Sequence, residues 1–221
     1  MLIIFDLDGT LLNTIDDLGH ACNYALERTG YPTFAIEEYP AKVGNGINNL
    51  IRRALPEPER TEENILRVRE YFVPYYNLHN TDYTKPYEGI TDVLNVLKSQ
   101  GHILAVASNK YQQATEKIVA AFFPGIFDVV YGEREGVARK PDPQIVKDIM
   151  KALDYKEKSE SCLYIGDSLV DMQTAQNAAV PFIACSWGFV RREVLKEAGV
   201  KRIVDTPHQI LDMITGNSLQ R

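Results

Sequence analysis

The chain has 221 residues, 45% of them hydrophobic and 24% charged, which is enough to bury a full core and excludes a disordered or fibrous protein. A net charge of −6 and a pI near 5.3 argue against a nucleic-acid partner and against binding to an anionic membrane surface. No apolar run approaches the roughly 20 residues of a membrane span. The apolar start is too short for a signal peptide, carries no basic leader and meets two acids at once. Cys22, Cys162 and Cys185 are odd in number and far apart. They are expected to be buried small hydrophobes in a reducing cytoplasm.

In chain order, the first strand is Leu2–Phe5, which runs straight into Asp6-Leu7-Asp8-Gly9-Thr10. Alternation turns Asp6 and Asp8 roughly to one side, and two like charges that close need a cation or a shared proton. Gly9 permits a tight exit and Thr10 supplies a hydroxyl. From Asn13 to about Tyr83 only helical patterns follow, at Ile15–Arg28, Ile36–Ala41, Gly46–Ala54 and Glu62–Tyr76. About seventy residues is excessive for one connection between parallel strands. The expectation is a helical subdomain, 14–83, inserted into a core of 1–13 and 84–221, with hinges near Leu11–Thr14 and Asp82–Tyr87.

Beyond the insert, apolar runs at Ile103–Ala107, Phe127–Tyr131, Cys162–Ile165, Phe182–Ala184 and, more weakly, Arg202–Val204 alternate with amphipathic segments. Those segments are Ile90–Ser99, Gln112–Phe122, Pro143–Leu153, Val170–Ala178, Arg191–Ala198 and Pro207–Ile214. Such an exchange predicts an α/β fold with a parallel sheet covered on both faces.

Open parallel sheets bind ligands beyond the carboxyl ends of their strands. Asp6 and Asp8 follow the first strand, Ser108-Asn109-Lys110 the second, and Gly166-Asp167-Ser168-Leu169-Val170-Asp171 the fourth. Lys140 precedes a helix start after the third. Taken singly, Ser108, Asp167 and Ser168 could be helix caps, Lys140 a solvated lysine and Asp171 an exposed helix position. Taken together, all fall at one rim of one sheet. The hard oxygens of Asp6, Asp8, Asp167 and Asp171 suit magnesium, and neither histidine nor thiolate joins them. Donors around Thr10, Ser108 and Asn109 would meet the oxygens of an anion. That is a layout for phosphoryl transfer.

These motifs resemble the haloacid dehalogenase superfamily of phosphatases. Its Asp-x-Asp-Gly-Thr motif matches residues 6–10, its second-motif serine matches Ser108, its phosphate-side lysine matches Lys140, and its Gly-Asp-x-x-x-Asp motif matches residues 166–171. The resemblance implies a Rossmann-like core with an inserted α-helical cap. It implies Asp6 as nucleophile through an aspartyl-phosphate, and Asp8 as acid and then base. Thr10, Ser108, Asn109 and Lys140 would bind phosphate. Mg2+ would lie among Asp6, the backbone carbonyl of Asp8 and Asp167, with Asp171 in support.

Asp8 speaks against the dehalogenase branch, and Lys42, set among flexible residues, makes a poor Schiff-base lysine for the phosphonoacetaldehyde branch. Three segments look most like the phosphoglycolate phosphatase branch: residues 11–18, Val43-Gly44-Asn45-Gly46, and Ser186-Trp187-Gly188-Phe189. Asn13, Lys42, Gly44, Asn45 and Gly46 are the expected cap contacts to substrate. The expected partner is a small phosphorylated metabolite, with no nucleic acid and no membrane, handled by a monomer or weak homodimer. Pyrophosphatase, nucleotide or sugar phosphatase, and a β-phosphoglucomutase-like isomerase remain the alternatives.

Overall fold

The computed structural model describes residues 1–156 and 161–215. The chain divides into two compact units, Met1–Leu12 with Pro86–Arg221, and Asn13–Lys85. In chain order, β1 (Leu2–Phe5) leads through β2 (Leu12–Asn13) to α1 (Ile15–Arg28), α2 (Ile47–Ala54) and α3 (Glu62–His79), with 3₁₀ turns at Ile36–Ala41 and Glu57–Glu59. The return through β3 (Lys85–Pro86) reaches α4 (Ile90–Ser99), β4 (Ile103–Tyr111), α5 (Gln112–Phe122), β5 (Val129–Glu133) and α6 (Gln144–Ala152). Then come β6 (Cys162–Gly166), α7 (Leu169–Asn177), β7 (Phe182–Cys185), α8 (Arg192–Glu197), β8 (Ile203–Val204) and α9 (His208–Thr215).

Among the described residues six parallel strands form one sheet, in the order β5-β4-β1-β6-β7-β8. The central strand β1 explains its own composition. Ile3 and Phe5 pack on one face with Leu94 of α4, Ile118 of α5 and Ile210 of α9. Leu2 and Ile4 pack on the other with Ile149 of α6 and Ala175 of α7. A strand buried on both faces needs an unbroken apolar run, and each such side chain contributes about 1.5–3 kcal/mol on burial.

Register places the site. Phe5 is level with Val106 of β4 and with Ile165 of β6. Asp6, the Ala107–Ser108 pair and the Gly166–Asp167 pair therefore lie level with one another at one rim. The strand order also reverses across β1, which opens a crevice at that rim.

Two strands depart from the expected bounds by more than one residue. β4 runs on to Tyr111, and its pairing with β5 shifts register between Ala107 and Tyr111. Ser108 consequently lies in extended chain, and Tyr111 takes the N-cap position of α5. β5 begins at Val129 because Phe127 is drawn into the core, edge-on to Phe5 and Phe123.

In the helical unit, α1 packs on α3 and on the 3₁₀ turn 36–41, around Leu26, Tyr39, Phe72 and Tyr76. Asp17, buried in α1, accepts the backbone N–H groups of Tyr83 (3.0 Å) and Thr84 (2.9 Å). The crossings β2 and β3 pair as a two-stranded sheet. No described helix is long and apolar enough to cross a membrane. All three cysteines are buried and free, and desolvation pushes the Cys22 and Cys162 thiols up to about 12.

Candidate active site

The loop after β1 is wound tightly. Leu11 N–H and Leu12 N–H both reach the Leu7 carbonyl at 3.0 Å, and Leu7, Leu11 and Leu12 are buried beneath it. Apolar anchors on both sides of Asp8 thus hold the acidic segment against the sheet. Gly9 has φ +88, and a Cβ there would strike the Asp167 carboxylate. Only glycine allows the two strand ends so close an approach.

Lys140 is the electrostatic centre. Its buried Nζ donates to Asp171 Oδ1 (2.7 Å), Asp6 Oδ1 (2.8 Å), the Ala107 carbonyl (2.9 Å) and the Tyr164 hydroxyl (3.2 Å). Three protons facing four oxygens leave the ammonium fully spent on protein groups. Burial alone would lower its pKa, but the Asp171 and Asp6 charges outweigh that and hold it well above the ordinary lysine value. Asn109 braces the same residue from behind: its Oδ1 accepts Lys140 N–H at 3.0 Å and its Nδ2 donates to the Lys140 carbonyl at 3.2 Å.

Asp171 serves two elements at once. One oxygen takes Lys140, and the other accepts from the backbone N–H (3.1 Å) and hydroxyl (2.5 Å) of Ser168, closing a capping box at the start of α7. Asp167 is held by Thr10 Oγ1 (3.3 Å) and by Phe189 N–H (2.7 Å). The loop bearing Phe189 is tied down in turn, since Trp187 Nε1–H donates to the Thr10 carbonyl at 3.1 Å. A Cβ at Gly188 would collide with Asp167 and with the Gly9 carbonyl.

Asp6, Asp167 and Asp171 each offer a carboxylate oxygen within 4.8 Å of the others, and all three residues are buried. Desolvation pushes Asp6 up to about 7, with Asp171 adding to the rise and Lys140 opposing it. Desolvation also holds Asp167 well above the usual carboxylate range, reinforced by Asp171 and Asp6. Crowded oxygen anions of this kind fit a hard divalent cation. With both Asp171 oxygens engaged, Asp6 and Asp167 are the carboxylates better disposed to hold one. Four carboxylates against the ammoniums of Lys140 and Lys110 leave a formal −2, which a single divalent ion offsets.

Among the described residues the core unit therefore brings together Asp6, Asp8, Thr10, Ser108, Asn109, Lys140, Asp167 and Asp171 at one rim. Ser108 Oγ accepts Lys110 N–H at 3.1 Å. The other expected residues lie in the helical unit. Asn13 Oδ1 accepts Ile15 N–H (3.3 Å) at the start of α1, and the Lys42 ammonium sits 4.1 Å from the Phe34 ring centroid. Gly44, Asn45 and Gly46 all have positive φ. Arg53 Nη1 laces this loop through the carbonyls of Lys42, Val43 and Gly44 (2.9–3.0 Å), and Asn45 Oδ1 is buried without a hydrogen-bond partner.

Sequence reasoning missed several members. Tyr164 reads as one more apolar strand residue, yet its hydroxyl meets Lys140 and lies 3.3 Å from Asp171. The Phe189 amide carries no side-chain signal at all. Lys110 left one trace: on a strand that stays extended, residues 108 and 110 share a face.

Residues 3–185 match the family model described as haloacid dehalogenase-like hydrolase. The chain belongs to that family. Similar proteins include the phosphoglycolate phosphatase of Aquifex aeolicus, 31% identical over 86% of each chain, and that of Cereibacter sphaeroides strain ATCC 17025, 33% identical over 85% of each. A crystal structure from Lactobacillus delbrueckii subsp. bulgaricus, provisionally described as a phosphoglycolate phosphatase, superposes with a TM-score of 0.92. It is 36% identical and covers 98% of both chains. The aspartates at the strand ends are thus those of a haloacid dehalogenase-like enzyme, and the helical unit stands where such hydrolases carry an inserted cap.

Proposed function

We propose that this haloacid dehalogenase-like enzyme is a magnesium-dependent phosphatase that uses Asp6 as nucleophile and prefers 2-phosphoglycolate. The chain is a phosphatase of a small phosphorylated substrate. The observation that carries the reading is Asp6 at the switch point, directly after β1, bonded to Lys140 and crowded by Asp167 and Asp171.

The Asp6 carboxylate attacks phosphorus, forming an O–P bond as the P–O bond to the alcohol breaks. Asp8, in the protonated form that the last step of each turnover restores, gives its proton to the departing oxygen. Asp8 then takes a proton from the water that attacks the aspartyl-phosphate, releasing inorganic phosphate and restoring Asp6. Lys140 holds Asp6 in place and would exchange one of its protein acceptors for a phosphate oxygen, completing a phosphate cradle with Thr10, Ser108 and Asn109. Asp6, the Asp8 backbone carbonyl and Asp167 would hold Mg2+, with Asp171 in support; bound there, the ion neutralises charge on the phosphoryl oxygens. Asn13, Lys42, Gly44, Asn45 and Gly46 are assigned to recognition of the organic part of the substrate. A cytoplasmic monomer or weak homodimer completes the reading.

The substrate choice is supported by the names of the relatives, since specificity in such sites turns on contacts that each separate substrates by roughly 1–3 kcal/mol. It is tested by kcat/KM over phosphoglycolate, pyrophosphate, nucleoside monophosphates and hexose phosphates. Phosphoglycolate should lead by at least about tenfold, the worth of one such contact. A flat profile reduces the enzyme to a generalist, and net isomerisation of β-glucose 1-phosphate makes it a mutase. Full activity in excess chelator ends the magnesium assignment.

Gly188 supplies a separate check on that assignment. Gly188→Ala places a methyl against Asp167, and disturbing the support of a metal ligand typically weakens the metal by about 10–100-fold. Trp187 is the single tryptophan of the chain and is bonded to the Thr10 carbonyl, so its fluorescence during a Mg2+ titration should report the change without any turnover. Unchanged affinity would remove this loop from the support of Asp167.

A further inference from the structure

We infer that Lys110 is a positioning residue for Asp8, aiming that carboxyl at the leaving group, so that the enzyme's advantage on poor, alkyl leaving groups depends on it; the inference rests on the phosphatase reading above. The Lys110 ammonium lies 3.0 Å from Asp8 Oδ1, with the lysine side chain 4% exposed and the aspartate 17%. Lysine is rarely buried this far unless a charge partner holds it. The two buried lysines among the described residues hold three of the four acids: Lys140 takes Asp6 and Asp171, and Lys110 takes Asp8.

The Lys110 backbone is itself clamped. Its N–H donates to Ser108 Oγ (3.1 Å) and its carbonyl accepts from Thr115 Oγ1 (3.0 Å). The carbonyl also packs so closely on Gly132 that a Cβ there would collide with it. These contacts hold the extended end of β4 where the register shifts against β5, and they fix the point from which the side chain reaches across to β1's loop. Asp8 stands just beyond the end of β1, with its side chain 17% exposed. The ion pair at one of its oxygens restricts the directions that carboxyl can take. Proton transfer needs a heavy-atom approach of about 2.6–3.2 Å, and small misplacements of a reacting group are costly in rate.

The consequence is selective. A p-nitrophenolate leaves without a proton, whereas an alkoxide such as that of glycolate does not. Because kcat/KM reports the steps up to the first irreversible one, it isolates Asp8's work as acid from its later work as base. The experiment measures kcat/KM with Mg2+ for 2-phosphoglycolate and p-nitrophenyl phosphate in wild type and Lys110→Met. The expected loss is about 10–100-fold on phosphoglycolate, within the range of acid–base catalysis, and under about threefold on p-nitrophenyl phosphate. Equal losses on both esters, or none on either, overturn the proposal. Lys110→Met is also placed in an Asp8→Asn background, where no buried charge is left unmatched. There the lysine change should cost phosphoglycolate less than about threefold, as for residues acting as one unit; a further loss above about tenfold overturns the proposal. Wild type inactive on both esters would instead refute the phosphatase reading, and this inference with it.

Discussion

Asp6→Asn should abolish turnover while leaving the fold intact or firmer. Removing a nucleophile from a covalent mechanism typically costs on the order of 10⁴–10⁶ in kcat, since what remains is positioning and electrostatic stabilisation. The amide keeps the shape of the carboxyl, and its oxygen can still accept from Lys140 Nζ, now 2.8 Å from Asp6 Oδ1. It also removes one anion from a cluster in which burial pushes Asp6 up to about 7 and Asp171 adds to the strain. Metal-free Asp6→Asn should therefore melt no lower than wild type at neutral pH. Single-turnover assays on an aryl phosphate, beside a melting curve without metal, check both halves. Wild-type rates in the variant would refute Asp6 as nucleophile, and a marked fall in Tm would show the carboxylate to be structurally required.

Lys140→Ala should damage fold and chemistry together. The ammonium is the shared cation of Asp6 and Asp171, and it also meets the Ala107 carbonyl and the Tyr164 hydroxyl. Deleting one partner of a buried charged group leaves the other uncompensated, at a cost of about 3–5 kcal/mol. In denaturant titration of the metal-free protein, that loss should appear as a lower midpoint. Saturating Mg2+ should recover part of it, because a ligand of the native state alone contributes about 2.7 kcal/mol at a hundred times its Kd. Activity should stay low even then, as Asp6 has lost the bond that orients it. Lys140→Arg should not substitute, since a planar fork cannot reach four oxygens arranged around a single nitrogen. A Lys140→Ala protein of unchanged stability would mean that solvent screens these carboxylates despite their burial.

How much of this was legible in the chain follows the range of the interactions. The helices Ile15–Arg28, Ile90–Ser99 and Gln112–Phe122 stand at the bounds that their periodicity predicts, because a helix is built from contacts three and four residues apart. The central strand is equally plain, since burial on both faces demands four apolar residues in a row. The site motifs were readable because each is short and sits at a strand end, where parallel sheets gather ligands. β4 and β5 were misjudged where side chains outside the local pattern intervened: Ser108 and Thr115 hold the end of β4, and Phe127 is pulled into the core ahead of β5.

The chain by itself determined an α/β sheet with helical cover, an inserted helical stretch, and aspartates, a serine and a lysine waiting at successive strand ends. Composition and local periodicity suffice for that, because they act over a few residues. Only the tertiary structure decided who holds whom. Lys140 reaches Asp6 across 134 positions of sequence, and Thr10 reaches Asp167 across 157. Those pairings depend on Phe5 standing level with Val106 and Ile165, a register set by the packing of the whole sheet. The same register lends Tyr164, Lys110 and the Phe189 amide to the aspartates. Nothing local distinguishes Tyr164 and the Phe189 amide from a core tyrosine and an ordinary peptide bond, and Lys110 is marked only by its place two residues after Ser108.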